Sequence, residues 1–247
     1  MKTILSIAFA CALVLAGCSK NEDQQAGKTT QTPTLDQARS PQLAMEAAQQ
    51  KRAAAAPKGD KSVPLESYQD IKSGSQLAIA YYALEGTADY EKLAWALSNE
   101  YRYTQDEFKK RDIVNNLKPG VDREIAKAKE NRYYRTGMGN QYNLGKYDFE
   151  TKSFPLNTLQ SPDASIYYND ASDYRLGFAN WSKYQNLKVD DEVAARMIES
   201  LRSKMGSIKI VGYVFAAETE LGKSRIVTEI MRMQIQDHSG RVLAEIQ

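Results

Sequence analysis

Glu218 and Glu220 stand two residues apart in a segment of strand character, a spacing that places both carboxylates on one face. Paired carboxyl groups are what a glycoside hydrolase uses, one as acid and the other as base or nucleophile, so wall-glycan cleavage is the chemistry this pair could support. The same two residues also read as ordinary acids flanking a surface turn, and nothing beyond spacing favours catalysis. His238 is the single histidine and hence the one side chain whose ordinary pKa suits general-base work near neutrality. It falls in Asp237-His238-Ser239-Gly240, a turn sequence, and no Gly-x-Ser-x-Gly signature accompanies it. We therefore read it as a turn residue. One histidine, with no cysteine after residue 18, leaves only carboxylates as further metal ligands, so we assign no metal site. Gly137-Met138-Gly139 lacks the glycine spacing of a phosphate loop and reads as a turn. No catalytic or cofactor-binding residue is assigned.

Two charged clusters remain. Asp190-Asp191-Glu192 fits a helix N-cap followed by first-turn acids that favour the helix dipole. Arg132-Tyr133-Tyr134-Arg135 extends the basic series Arg123, Lys127 and Lys129, giving an aromatic and cationic surface that could touch lipid headgroups or glycan. The plainer reading has these rings straddling core and solvent at the end of an element.

The most specific chemistry lies at the start of the chain. Lys2 precedes an apolar run from Ile4 to Ala16. At about a dozen residues it is short of the roughly 20 that a membrane-spanning helix needs, so the run reads as a secretory leader. Leu15-Ala16-Gly17-Cys18 resembles the lipobox of bacterial lipoprotein precursors. The resemblance implies cleavage before Cys18 and a diacylglycerol on its sulfur, and Ser19 in place of aspartate implies sorting to the outer membrane, facing the periplasm. The only other cysteine, Cys11, falls within the leader. The cleaved protein would then carry no free thiol, which excludes disulfides and cysteine catalysis. With 33 basic and 31 acidic residues, bulk charge offers nothing to nucleic acid.

Elements must position whatever the body does. Residues 1–17 form the expected signal peptide. Residues 18–62 read as a low-complexity tether, polar to about Pro33, then rich in Ala and Gln from Pro41 to Pro57, where a short helix and an unstructured chain are equally compatible with the pattern. We expect one globular domain over 63–247. Its first half reads helical: Gln76 to Leu84, then a helix capped by Asp89 and running to Tyr101, then one opened by Thr104 and Glu107 and interrupted at Pro119-Gly120 before a basic continuation to Arg132. Strands follow at Leu144 to Phe154 and Arg175 to Ser182. A helix from Asp190 to Gly206 presents Val193, Met197, Leu201 and Met205 as an apolar stripe beside Ala194 and Ile198. Two long β runs, Ile208 to Thr219 and Arg225 to Gln236, meet at a hairpin loop, and Val242 to Ile246 closes the chain. The expected fold is α+β, with N-terminal helices followed by an antiparallel sheet that one helix covers.

Tyr147-Asp148-Phe149, Phe154-Pro155-Leu156 and Asp237-His238-Ser239-Gly240-Arg241-Val242-Leu243 resemble patterns in an uncharacterised family of proteobacterial envelope proteins, over about the last half of the chain. That family has no assigned activity, so the resemblance implies no catalytic residue. The reading is a membrane-anchored envelope lipoprotein whose body is a non-catalytic binding or assembly module. Its expected partners are the membrane through Cys18 and an envelope protein or peptidoglycan. The alternative is a wall-active hydrolase using carboxylates such as Glu218.

Overall fold

In the computed structural model of the 247-residue chain, residues 41–220 and 222–247 are described. The leader, the lipobox with Cys18 and the first part of the tether lie outside these residues. So does Leu221 of the hairpin loop.

Six helices are described: α1 (Pro41–Ala55), α2 (Gly74–Glu85), α3 (Tyr90–Leu97), α4 (Asn99–Tyr103), α5 (Glu107–Glu130) and α6 (Glu192–Arg202). The strands are β1 (Gln69–Ile71), β2 (Tyr133–Asn140), β3 (Ser153–Pro155), β4 (Ser165–Tyr167), β5 (Arg175–Phe178), β6 (Asn186–Lys188), β7 (Ile208–Thr219), β8 (Arg225–Asp237) and β9 (Val242–Ile246). The fold is α+β. Its main sheet runs β1-β2-β7-β8-β5-β4, with β9 joining the far end of β8 on the same edge as β5. The sheet is mixed, because β1 pairs with β2 and β5 with β8 in parallel, while β7, β8 and β9 form the expected antiparallel meander. A small β3–β6 ladder stands apart.

Strand β7 is buried almost without alternation, and β8 becomes so after an alternating first half, since both faces of the sheet are covered there. On one side α2 and α6 pack on β7, and Leu77, Leu176, Ile198, Ile210 and Ile230 are fully excluded from solvent. On the other side Tyr68, Val211, Tyr213, Phe215 and Met231 form a second, smaller cluster beneath Val63 and Leu65. The segment before Val63 reaches this face as well. Gly59 N donates to Glu229 at 3.3 Å and Asp60 N to the Tyr133 hydroxyl at 2.9 Å. The Ala-Gln stretch is helical as α1, and Arg52 from it donates to Thr219 Oγ1 at 2.8 Å.

Several local expectations are corrected by tertiary packing. Helix α5 passes through Pro119 without interruption and its cap is Asp106, not Thr104. Burial of Val121 and Ile125 against α2 and α3 outweighs the missing hydrogen bond and the glycine beside it. The helix capped by Asp89 stops at Leu97, where Ser98 accepts from Tyr101 N and starts α4. Gly137-Met138-Gly139 is no turn but part of β2, bulged between the two glycines. Leu144 to Phe154 is mostly an irregular loop, pinned by bridges Leu144–Leu156 and Asp148–Ser153, and only its end joins β3. Helix α6 is capped by Asp191 and ends at Arg202. Ala195 and Ile198 are its buried residues, whereas Val193 and Met205 of the expected stripe are 70% and 87% exposed.

The β8–β9 turn is held by Asp237, whose carboxylate accepts from Ser239 Oγ at 2.6 Å, Ser239 N at 2.9 Å, Arg241 N at 3.0 Å and Arg241 Nε at 3.1 Å. The bonds from Ser239, helped by those from Arg241, outweigh the cost of burial and hold its pKa at about 2. A depressed carboxyl contributes stability that is complete above its ordinary value near 3.8 and is lost as pH falls toward about 2. Asp237→Asn is therefore expected to lower the melting temperature at neutral pH and to flatten its decline across that acidic window. Melts followed by circular dichroism check this, and an unchanged acid slope would contradict it.

Candidate functional site

The carboxylate pair is separated by the end of its strand. A bulge between Ala216 and Glu218 leads β7 to its last residue, Thr219, and Glu220 already lies in the loop. Glu218 sits half-buried beneath α1. Burial raises its pKa, while the Arg52 charge and a hydrogen bond with Gln49, both from α1, act against that rise. Glu220 pairs instead with Lys223 at 2.6 Å and Arg225 at 3.2 Å. Burial of Glu220 is outweighed by these cations, which hold its pKa below the usual carboxylate value. Neighbouring Thr219 donates to Glu85, and Arg52 stands 3.6 Å from the same carboxylate. Glu218 and Glu85 thus take part in a polar network that fastens α1 to the sheet, whereas Glu220 is held within the hairpin loop.

His238 is exposed in its turn, where its carbonyl accepts from Lys209 Nζ at 3.3 Å. Among the described residues no group of histidine, cysteine and carboxylate side chains could hold a metal ion.

The sheet divides the Arg132–Arg135 series between its faces. Tyr134 is 3% exposed on the helix side, and burial pushes its hydroxyl up to about 12. Tyr133 joins an edge-packed aromatic chain on the opposite face, its ring centroid 5.3 Å from Tyr68 and 5.0 Å from Phe215. Arg132 lies 5.2 Å over the Phe215 ring and donates to the Ala217 carbonyl, with burial lowering its pKa. Arg135 pairs with Asp70 at 3.1 Å. Strand alternation thus turns the apparent surface patch into two structural contacts.

Open clefts lie elsewhere. One, of about 610 Å³, runs between α6 and the 144–149 loop and is lined by Tyr147, Phe149, Ala195 and Arg196, with Phe149 81% exposed at its rim. A second, of about 450 Å³, gathers Trp95 of α3, the turn Asn169–Ala171 with the following Ser172 and Asp173, Arg175 of β5, and Ser224 before β8. Its walls are tied to separate elements. Asp170 accepts from Gly74 N at 2.7 Å and Ser75 N at 3.0 Å, fastening the turn to the start of α2. Gly74 permits that approach, because a Cβ there would meet the Ala171 backbone at 2.7 Å. Arg102 Nη1 donates to the Asp170 carbonyl at 2.9 Å, and Arg175 N donates to the Ser224 carbonyl at 3.0 Å. None of these cleft residues was singled out from sequence. They come from three distant segments, and a tryptophan lying off the apolar stripe of its helix is the one local signal that could have found them.

Residues 93–200 are similar to a domain of unknown function (DUF4852). The match covers a little under half of the chain and includes Tyr147-Asp148-Phe149 and Phe154-Pro155-Leu156 but not the motif beginning at Asp237. It contains most of both clefts. Its strands β2 and β5 nevertheless pair with β7 and β8, which lie outside it, so the matched residues are part of a larger folding unit. No curated protein and no solved structure matches the chain.

Proposed function

We propose that the chain is a lipid-anchored envelope protein, attached through Cys18, whose body is a non-catalytic binding module. The observation that carries this reading is the contrast between the acids and the clefts. Glu218 and Glu220 are engaged under α1 and in the hairpin loop, and neither lines the two clefts described above. Those clefts instead offer exposed aromatic and polar side chains on walls held by hydrogen bonds, the composition of a recognition site. The lipobox supplies the address, and no helix among the described residues is long and apolar enough to cross a membrane.

The alternative hydrolase has one feature in its favour, since neighbouring carboxyls with pKa values pushed in opposite directions are what acid–base pairs display. Peptidoglycan zymography with the full-length protein in detergent separates the readings. The expected result is no clearing from either wild type or Glu218→Gln. A cleared zone that Glu218→Gln removes would establish the hydrolase and overturn the binding module.

A further inference from the structure

We infer that the cleft beneath Trp95 binds a saccharide chain. This inference rests on the binding-module reading and names its ligand class. A pyranose presents one face of C–H groups and a rim of hydroxyls. It is recognised by an exposed aromatic ring, on which the C–H face lies, flanked by side chains free to donate and accept hydrogen bonds. The cleft has both parts. Trp95 is 51% exposed, unlike the mostly covered rings of the sheet, although an indole buries far more favourably than most side chains. Around it the Asn169 amide, the Ser172 and Ser224 hydroxyls and the Asp173 carboxylate make no side-chain hydrogen bond or ion pair with any described residue. The indole N–H is equally free.

Asp173 differs in this from acids such as Glu192 and Glu199, which pair with Arg196 and Arg202. Unused donors and acceptors on one concave wall remain hydrated without a ligand. Because the wall is fixed by the Asp170 bonds to α2 and the Arg175 bond to Ser224, a sugar would displace that water with little ordering cost. Arg175 extends the platform. Its guanidinium lies 5.4 Å over the half-exposed ring of Tyr167, and it lines both this cleft and an adjoining hollow at Ser165 and Lys223. Two hollows that share Asp173, Arg175 and Ser224 suit an oligosaccharide of several units better than a single sugar. The mixed lining, with Asp173 as acceptor, favours hydroxyl recognition over an apolar peptide.

The test uses the full-length protein in detergent, applied to an array of bacterial envelope glycans and, separately, to purified peptidoglycan sacculi in a sedimentation assay. Trp95→Ala and Asp173→Ala are compared with wild type, and circular dichroism verifies that both exposed-residue variants are folded. The expected result is binding to at least one glycan or to sacculi that Trp95→Ala weakens roughly 30-fold, the loss typical of removing a tryptophan anchor. Trp95→Phe should recover part of it, and ligand should shift the tryptophan fluorescence of wild type. Absence of binding to every glycan and to sacculi, or binding that both alanine variants leave unchanged, overturns the saccharide assignment. If in that case crosslinking in cells captures an envelope protein through residues of either cleft, the binding-module reading stands while this one fails. Cleavage of a bound glycan would overturn the module reading itself.

Discussion

Cys18→Ser is expected to abolish incorporation of radioactive palmitate and to leave an uncleaved or soluble species in place of the membrane-bound protein. Under the proposed anchor the effect would be all-or-none, because a serine hydroxyl would not replace the thiol that accepts diacylglycerol and the lipobox peptidase would act only after that addition. Two or more acyl chains on one residue give lasting membrane residence, whereas a single chain gives marginal binding. Among the described residues no helix is long and apolar enough to span the membrane. Retained label in the serine variant would overturn the proposed anchor. Density-gradient fractionation of wild type tests the proposed destination separately, and recovery with inner-membrane markers would remove the outer-membrane assignment while leaving the lipid in place.

The second large effect is expected at Phe154. Its side chain is fully excluded from solvent, its residue pairs with Leu187 across the β3–β6 ladder, and its ring centroid lies 5.0 Å from that of Tyr147. Tyr147 in turn donates to the Val189 carbonyl at 3.0 Å and carries Phe149 on its edge at 5.1 Å. Phe154 is thus the buried anchor of the irregular loop that lines the groove beside α6. Phe154→Ala should cost about 3–5 kcal/mol, from lost burial and the cavity left behind. In a body of this size that corresponds to a fall in melting temperature of roughly 6–20 °C. Phe149→Ala, at a ring that is 81% exposed, should remain within about 0.5 kcal/mol of wild type. Scanning fluorimetry of the two variants checks the contrast. A nearly neutral Phe154→Ala would mean that the loop carries little of the fold.

The boundaries of β7 and β9 agree with the pattern of apolar, β-branched residues, and β8 extends one residue beyond it. Helix α2 was legible for a similar reason, being a continuous apolar segment with polar flanks. Where long-range contacts override a local signal, legibility failed. Pro119-Gly120 is a strong breaker by composition, yet Val121 and Ile125 must remain in register with α2, and burial keeps the helix continuous. Gly137 and Gly139 resemble a turn in isolation, yet they lie in a strand because β7 pairs with both, Gly137 with Val211 and Gly139 with Ile210. The stripe of α6 was legible only at Ile198, because the helix packs on β7 and β9 with its Ala195 and Ile198 side and leaves Val193 exposed, an orientation that periodicity alone does not specify.

The candidate sites divide in the same way. Sequence alone determined which chemistries residues 19–247 lack, because both cysteines precede that stretch and one histidine is all it holds. Residue counts need no geometry. It also determined the α+β class, since helical and strand periodicities are local properties of the chain. Tertiary structure decided everything that depends on neighbours from afar. It placed Glu218 beneath α1, split Arg132–Arg135 between two faces of a sheet, and brought Trp95, Asp173 and Ser224 to one cleft. A cleft assembled from α3, a turn, a strand end and a hairpin has no signature along the chain, because its residues become neighbours only when the sheet order β7-β8-β5 closes beside the helices.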